Sequence, residues 1–125
     1  MTRVLIVDDE PDILFLAKMM LEGAGHEVTM AKNSKECFEK LKEKRPDVIL
    51  LDIMMPSGDD GWKTCRELKE SEETQDIPLA MFTVRSSDDS VEKSYSCGAD
   101  AHIKKPFYRT DFLETVESLV NKSRS

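Results

Sequence analysis

Asp8 with Asp9, Asp52, Thr83 and Lys105 stand at the ends of four short, largely apolar runs, and together they offer carboxylates, a hydroxyl and an ammonium. Two adjacent carboxylates and a third elsewhere make an oxygen-rich set suited to a hard cation such as Mg²⁺. A carboxylate held beside that cation can attack a phosphoryl group and become an aspartyl phosphate. Such a transfer depends mostly on positioning and charge neutralisation. Asp52 is the acid to react, because solubility and helix capping poorly explain a carboxylate straight after Val48-Ile49-Leu50-Leu51. Asp8 and Asp9 have a second reading: with Glu10 and Asp12 they surround Pro11 at a helix start, where anions are stabilised. Thr83 offers a hydroxyl to a phosphoryl oxygen and Lys105 a flexible point charge. Taken singly, a Thr ending a strand and a Lys before a Pro are commonplace.

These groups converge only if the runs are neighbouring parallel strands. Val4-Leu5-Ile6-Val7 and Val48-Ile49-Leu50-Leu51 are continuous and rich in branched residues, as strands buried on both faces require. Pro78 to Phe82 and Ala101 to Lys104 read as two more, and Glu27 to Met30 as a weaker fifth. Between them, Ile13, Ala17, Met20, Leu21 and Ala24 form one stripe at helical spacing, ended by Gly23 and Gly25. Cys37, Phe38 and Leu41 mark a second helix that stops before Pro46, and Phe112, Leu113, Val116, Leu119 and Val120 a strong last one capped by Thr110 or Asp111. Helices near 60–70 and 87–97 are less amphipathic, the latter offering chiefly Val91 and Tyr95. The polar run Glu70 to Asp76 reads as a solvated loop. Strict alternation predicts an α/β fold, a five-stranded parallel sheet with helices on both faces and right-handed crossovers. Ligands of such sheets bind at the carboxyl ends of the strands.

At 125 residues the chain is one domain, spanning 1–125, able to bury roughly two-thirds of its unfolded surface. A formal charge of -7 argues against direct nucleic-acid binding and against anionic membranes. No run is long enough to insert in a membrane, and a first strand starting at Arg3 leaves no room for a signal peptide. Cys37, Cys65 and Cys97 are odd in number and widely spaced, which suggests neither a disulfide framework nor a zinc site and fits a reducing cytoplasm.

Leu5-Ile6-Val7-Asp8-Asp9-Glu10-Pro11, then Val48 to Pro56, then Ile103-Lys104-Lys105-Pro106-Phe107 resemble, in order and spacing, the receiver domain of two-component response regulators, single-domain chemotaxis-type regulators included. The resemblance runs from the first strand to the last helix and implies a flavodoxin-like doubly wound fold. It implies Asp52 as phosphoryl acceptor from a histidine kinase phosphohistidine, with Mg²⁺ held by Asp8, Asp9, Asp52 and the backbone carbonyl of Met54. Lys105 would pair with Asp52 and then with the phosphoryl group, and Thr83 would move toward it. The signal would leave through the fourth helix, fifth strand and fifth helix, toward a target or output domain the sequence does not name. Phe15 and Met19, opposite the buried stripe of the first helix, either fall on the family's kinase-docking side as a contact or are ordinary exposed apolar residues.

Several positions depart from the family pattern. His102 stands where a switch aromatic, Tyr or Phe, is usual; it either alternates between buried and exposed rotamers, with protonation biasing the balance, or is an ordinary strand residue. Val84 replaces a small residue and narrows access to the acyl phosphate, while Met54 and Arg85 occupy positions that tune dephosphorylation in the family, where Arg85 either reaches the phosphoryl oxygens or is simply solvated. The Pro56 to Gly61 loop is one residue longer than usual, which leaves Trp62 unplaced. Two other readings are a phosphorylation-independent binding module of the same fold and a haloacid-dehalogenase-like Mg²⁺ phosphatase. The latter wants an Asp-x-Asp after the first strand, which Asp8-Asp9-Glu10 lacks.

Overall fold

Alternating apolar strands and amphipathic helices build the expected architecture in the computed structural model, which describes residues 2–53, 61–83, 88–104 and 108–124. In chain order these are β1 (Arg3–Val7), α1 (Pro11–Gly23), β2 (Glu27–Ala31), α2 (Ser34–Glu43), β3 (Val48–Leu51), α3 (Gly61–Glu70), β4 (Leu79–Thr83), α4 (Asp88–Ser96), β5 (Ala101–Lys104) and α5 (Arg109–Arg124). One parallel sheet has the order β2-β1-β3-β4-β5. The order reverses direction between β1 and β3, which is where a doubly wound sheet opens a crevice at its carboxyl edge. No helix among the described residues is long and apolar enough to cross a membrane.

Period-two alternation divides the strand side chains between two cores. Leu5, Val7, Ile49, Leu51, Leu79 and Met81 pack with Cys37, Cys65 and Leu68 on one face. Val4, Ile6, Val48, Leu50, Ala80 and Phe82 pack with Ala17, Leu21, Phe112 and Val116 on the other. Every residue of β3 is fully buried, which is why its sequence is an unbroken apolar run rather than an alternating one.

The helices follow the predicted stripes with three corrections. Leu14, Ala17 and Leu21 carry the buried face of α1, whereas Ala24 lies beyond the helix and is exposed. Thr110 and Asp111 do not cap α5, which already starts at Arg109 and places both in its first turn. Among the side chains described there, Ser94 of α4 and Cys97 just after it are buried while Tyr95 is half exposed; a polar hydroxyl and a small thiol offer no apolar period to read. Val91 lies outside the residues whose side chains are described. α2 is capped at both levels: Asn33 Oδ1 accepts from Glu36 N at 2.8 Å and Glu36 Oε1 accepts from Lys32 N at 3.1 Å, a variant of the capping box.

The Glu70 to Asp76 segment is solvated as expected, yet its flanks are tied down. Lys69 Nζ donates to Ile77 O at 2.8 Å and to Asp100 Oδ2 at 2.9 Å. The same carboxylate oxygen accepts from Leu79 N at 2.9 Å, so one ion pair joins α3, the start of β4 and the turn after α4. That turn needs Gly98, whose φ of 100° is accessible to L side chains only at a cost.

Burial pushes the Cys37 and Cys65 thiols up to about 12 from an ordinary value of 9.0. Between these values the unfolded chain releases protons that the folded chain retains. Stability therefore falls as pH rises through that window, by about 1.4 kcal/mol per pH unit for each thiol. The urea midpoint of the native chain should drop more steeply from about pH 9 to about pH 11 than that of a Cys37→Ala, Cys65→Ala variant; equal slopes would contradict the burial account.

Candidate functional site

Parallel pairing of β1 with β3 determines where the acids meet. Val7 lies opposite Leu51, so the next residues, Asp8 and Asp52, leave the sheet side by side, and Asp52 N donates to Val7 O at 2.9 Å. Both continue the parity of Val4, Ile6, Val48 and Leu50, which sends them to the same side of the sheet. Asp8 is held further by its own N–H to Ala31 O at 3.0 Å, and its Oδ1 accepts from Glu10 N at 3.0 Å.

Oxygens of Asp8, Asp9 and Asp52 all lie within 4.8 Å of one another, with Asp8 and Asp52 buried and Asp9 half-buried. At that separation each pair of charges repels by about 3–4 kcal/mol at an effective dielectric near 20. Asp9 Oδ1 is also removed from solvent with no hydrogen-bond partner among the described residues. Buried anionic oxygens persist when something positive pairs with them. A hard, divalent, oxygen-seeking cation fits this donor set.

Pro11 opens α1 at its first turn, yet Glu10, the cap residue, makes no side-chain cap bond. Asp8 and Asp9 precede the helix and face Asp52, which favours the cation reading over helix-end charge for these two. Thr83 ends β4 at the same edge of the sheet, two residues past Met81, the partner of Leu51; its backbone pairs with that of Lys104 on β5. Met54, Val84, Arg85 and Lys105 lie outside the described residues, as do positions 56–60 of the loop. His102 on β5 is half-buried, with Nδ1 3.3 Å from Ser94 Oγ.

Two residues that matter to this site carry no acid or base. Gly61 N donates to Ile53 O at 2.6 Å, and a Cβ on Gly61 would fall 2.1 Å from the Asp52 carbonyl oxygen. Only a residue without a side chain lets α3 sit against the segment bearing Asp52. Trp62 follows, buried in the core beside Cys65 and Leu68. The spacing of Trp62, Cys65 and Leu68, with a glycine immediately before, is the signal that locates this helix start. Gly61→Ala should cost about 1–3 kcal/mol, the usual penalty of overpacking, as a lowered urea midpoint with unchanged m-value; full retention of stability would show that the close approach is relieved at no cost.

A family model of the response regulator receiver domain matches residues 4–117. The phosphate regulon transcriptional regulatory protein PhoB of Pseudomonas aeruginosa is 35% identical over 96% of this chain. That match covers 52% of the regulator, and the chain spans about half the length of the first curated relatives it matches. Protein PilH of the same organism is 32% identical, over 96% of this chain and 98% of its own length. Among solved structures, the chemotaxis protein CheY4 of Vibrio cholerae superposes with a TM-score of 0.89 at 28% identity, covering 95% of this chain and 98% of that one. The strand order, the acids at the ends of β1 and β3 and these likenesses agree: the chain belongs to the response regulator receiver domains, the signalling phospho-acceptor family of two-component systems.

Proposed function

We propose that this chain is a Mg²⁺-dependent phospho-acceptor switch in which Asp52 takes a phosphoryl group from the phosphohistidine of a histidine kinase. The observation that carries the reading is the convergence of Asp8, Asp9 and Asp52 oxygens within 4.8 Å at the strand-order reversal. An Asp52 carboxylate oxygen attacks phosphorus while the bond from phosphorus to the donor imidazole nitrogen breaks and its electron pair returns to the ring. Asp8, Asp9, Asp52 and the Met54 carbonyl would hold the ion, with Asp8 set in place by its bonds to the Ala31 carbonyl and the Glu10 amide. Mg²⁺, when bound, offsets the charge of the acids and of the phosphoryl oxygens. Lys105 then pairs with the phosphoryl group, and the Thr83 hydroxyl moves toward it.

Docking and output fall on different faces. Phe15 and Met19 are exposed on α1 and suit an apolar contact with the kinase. On the other side, His102, Lys104, Tyr108 and Phe112 line a cavity of about 280 Å³ between β5 and α5, with exposed Tyr95 on α4. We assign that α4-β5-α5 face to the downstream target or output domain, with His102 and Thr83 as switch residues. The setting of this activity is the cytoplasm, where histidine kinases present their phosphohistidines.

Incubation with acetyl phosphate and Mg²⁺ should add the mass of one phosphoryl group, and Asp52→Asn should abolish the adduct. An adduct that survives in Asp52→Asn, or none in the native chain with either acetyl phosphate or a kinase, sinks the assignment. Asp9→Asn should raise the Mg²⁺ needed for half-maximal adduct formation by at least the roughly tenfold that loss of a supporting group costs a metal site. An unchanged Mg²⁺ requirement would remove Asp9 from the ion's ligands.

A further inference from the structure

A chain of contacts leads from the backbone of Asp52 to β5 by way of α3 and α4. It starts at Gly61, whose amide bonds to Ile53 O and whose Cα leaves no room for a Cβ against the Asp52 carbonyl. Any movement of the Asp52–Ile53 segment is therefore passed to the first turn of α3. Trp62 is the next residue, 9% exposed, and its Nε1–H donates to Ser94 Oγ on α4 at 3.4 Å. Lys93 Nζ stands 4.1 Å from the centre of the indole ring. Ser94 is fully buried, and its Oγ is also 3.3 Å from His102 Nδ1 on β5. One hydroxyl thus joins three elements, receiving the indole proton and donating its own when the imidazole is protonated on Nε2.

We infer that Trp62 and Ser94 are positioning residues that transmit the state of Asp52 to α4 and β5 by tying His102 to α4. This rests on the phospho-acceptor reading. A tryptophan needed only for packing could give its N–H to any nearby carbonyl. Here the proton goes to a side chain that a third element shares, which makes the arrangement of all three interdependent. Both bonds are longer than the usual range of about 2.7–3.2 Å, so the junction is weak enough to be exchanged for another arrangement. Coupling between distant sites requires such an element with two arrangements.

Trp62 is the single tryptophan, so its emission reports on the junction directly. In the native chain, acetyl phosphate with Mg²⁺ should change Trp62 emission in step with the adduct mass, beyond any change from Mg²⁺ alone, and should shift the His102 ring resonances. Ser94→Ala should form the adduct at the native rate while losing the emission change and the His102 shift. Trp62→Phe, which keeps a ring and lacks the N–H, should likewise form adduct with the His102 shift lost. A native adduct with unchanged emission and unchanged His102 resonances overturns the inference and leaves the phospho-acceptor reading intact. So does Ser94→Ala with both responses at full size. No adduct in the native chain overturns that reading and the inference with it.

Discussion

Repulsion among three carboxylates whose oxygens lie within 4.8 Å is the interaction to which the rest of the structure answers. It arises from register: once Val7 pairs with Leu51, Asp8 and Asp52 must leave the sheet together. The pairing is enforced by burial of β1 and β3 on both faces, because a slip of one residue would exchange every side chain between the two cores. The acids cannot separate without that register being given up. The fold therefore gathers three acids at the carboxyl edge of its sheet, a donor set that a cation can bridge. Sites of this kind oppose stability locally and depend on the surrounding packing.

The packing that opposes it is unevenly distributed. Phe82 and Phe112 stack at 5.7 Å between centroids in the core under α1 and α5, and His26 Nε2 lies 2.9 Å from Glu117 Oε1, joining the turn before β2 to α5. On the opposite face, the Lys69 and Asp100 pair is largely withdrawn from solvent and accompanied by bonds to Ile77 O and Leu79 N. A partly buried pair with its other hydrogen-bonding capacity satisfied is one whose loss would leave a stranded charge. That brace sits at the amino edge of β4, away from the acids, and keeps the sheet fixed where the chemistry is not.

How legible each part was in the sequence follows from the range of the forces involved. β1 and β3 declare themselves because burial on both faces writes an unbroken apolar run, and the site acids because they interrupt such runs at their ends. α1, α2 and α5 show through their stripes. α4 falls where a weakly amphipathic helix is expected, but Tyr95 is half exposed, and the described buried residues, Ser94 and Cys97 just beyond the helix, meet His102, Trp62 and Cys65 rather than following an apolar period. The start of α5 shifted from Thr110 or Asp111 to Arg109 because helix ends depend on local hydrogen bonds, here Phe112 N to Tyr108 O at 2.9 Å. Trp62 could not be placed from a loop length alone, since its position depends on a glycine contact with Asp52 and on a hydroxyl 32 residues away.

The two ends of α3 consequently differ in stiffness. Its carboxyl end is held by Lys69 through charged bonds of 2.8 and 2.9 Å, while its amino end meets α4 through the 3.4 Å bond from Trp62 to Ser94, with the Lys93 ammonium 4.1 Å from the centre of the indole ring. Charge-assisted bonds of normal length are roughly twice as strong as neutral ones, and the bond from Trp62 to Ser94 is also long. On the inferred relay, a displacement of the Asp52 segment passes through Gly61 to Trp62 and Ser94 before it reaches Lys69. Phosphorylation can shift a population only through contacts that differ between the two states. In the proposed switch, the 3.4 Å bond at the amino end of α3, which lies directly against the Asp52 segment, is such a contact.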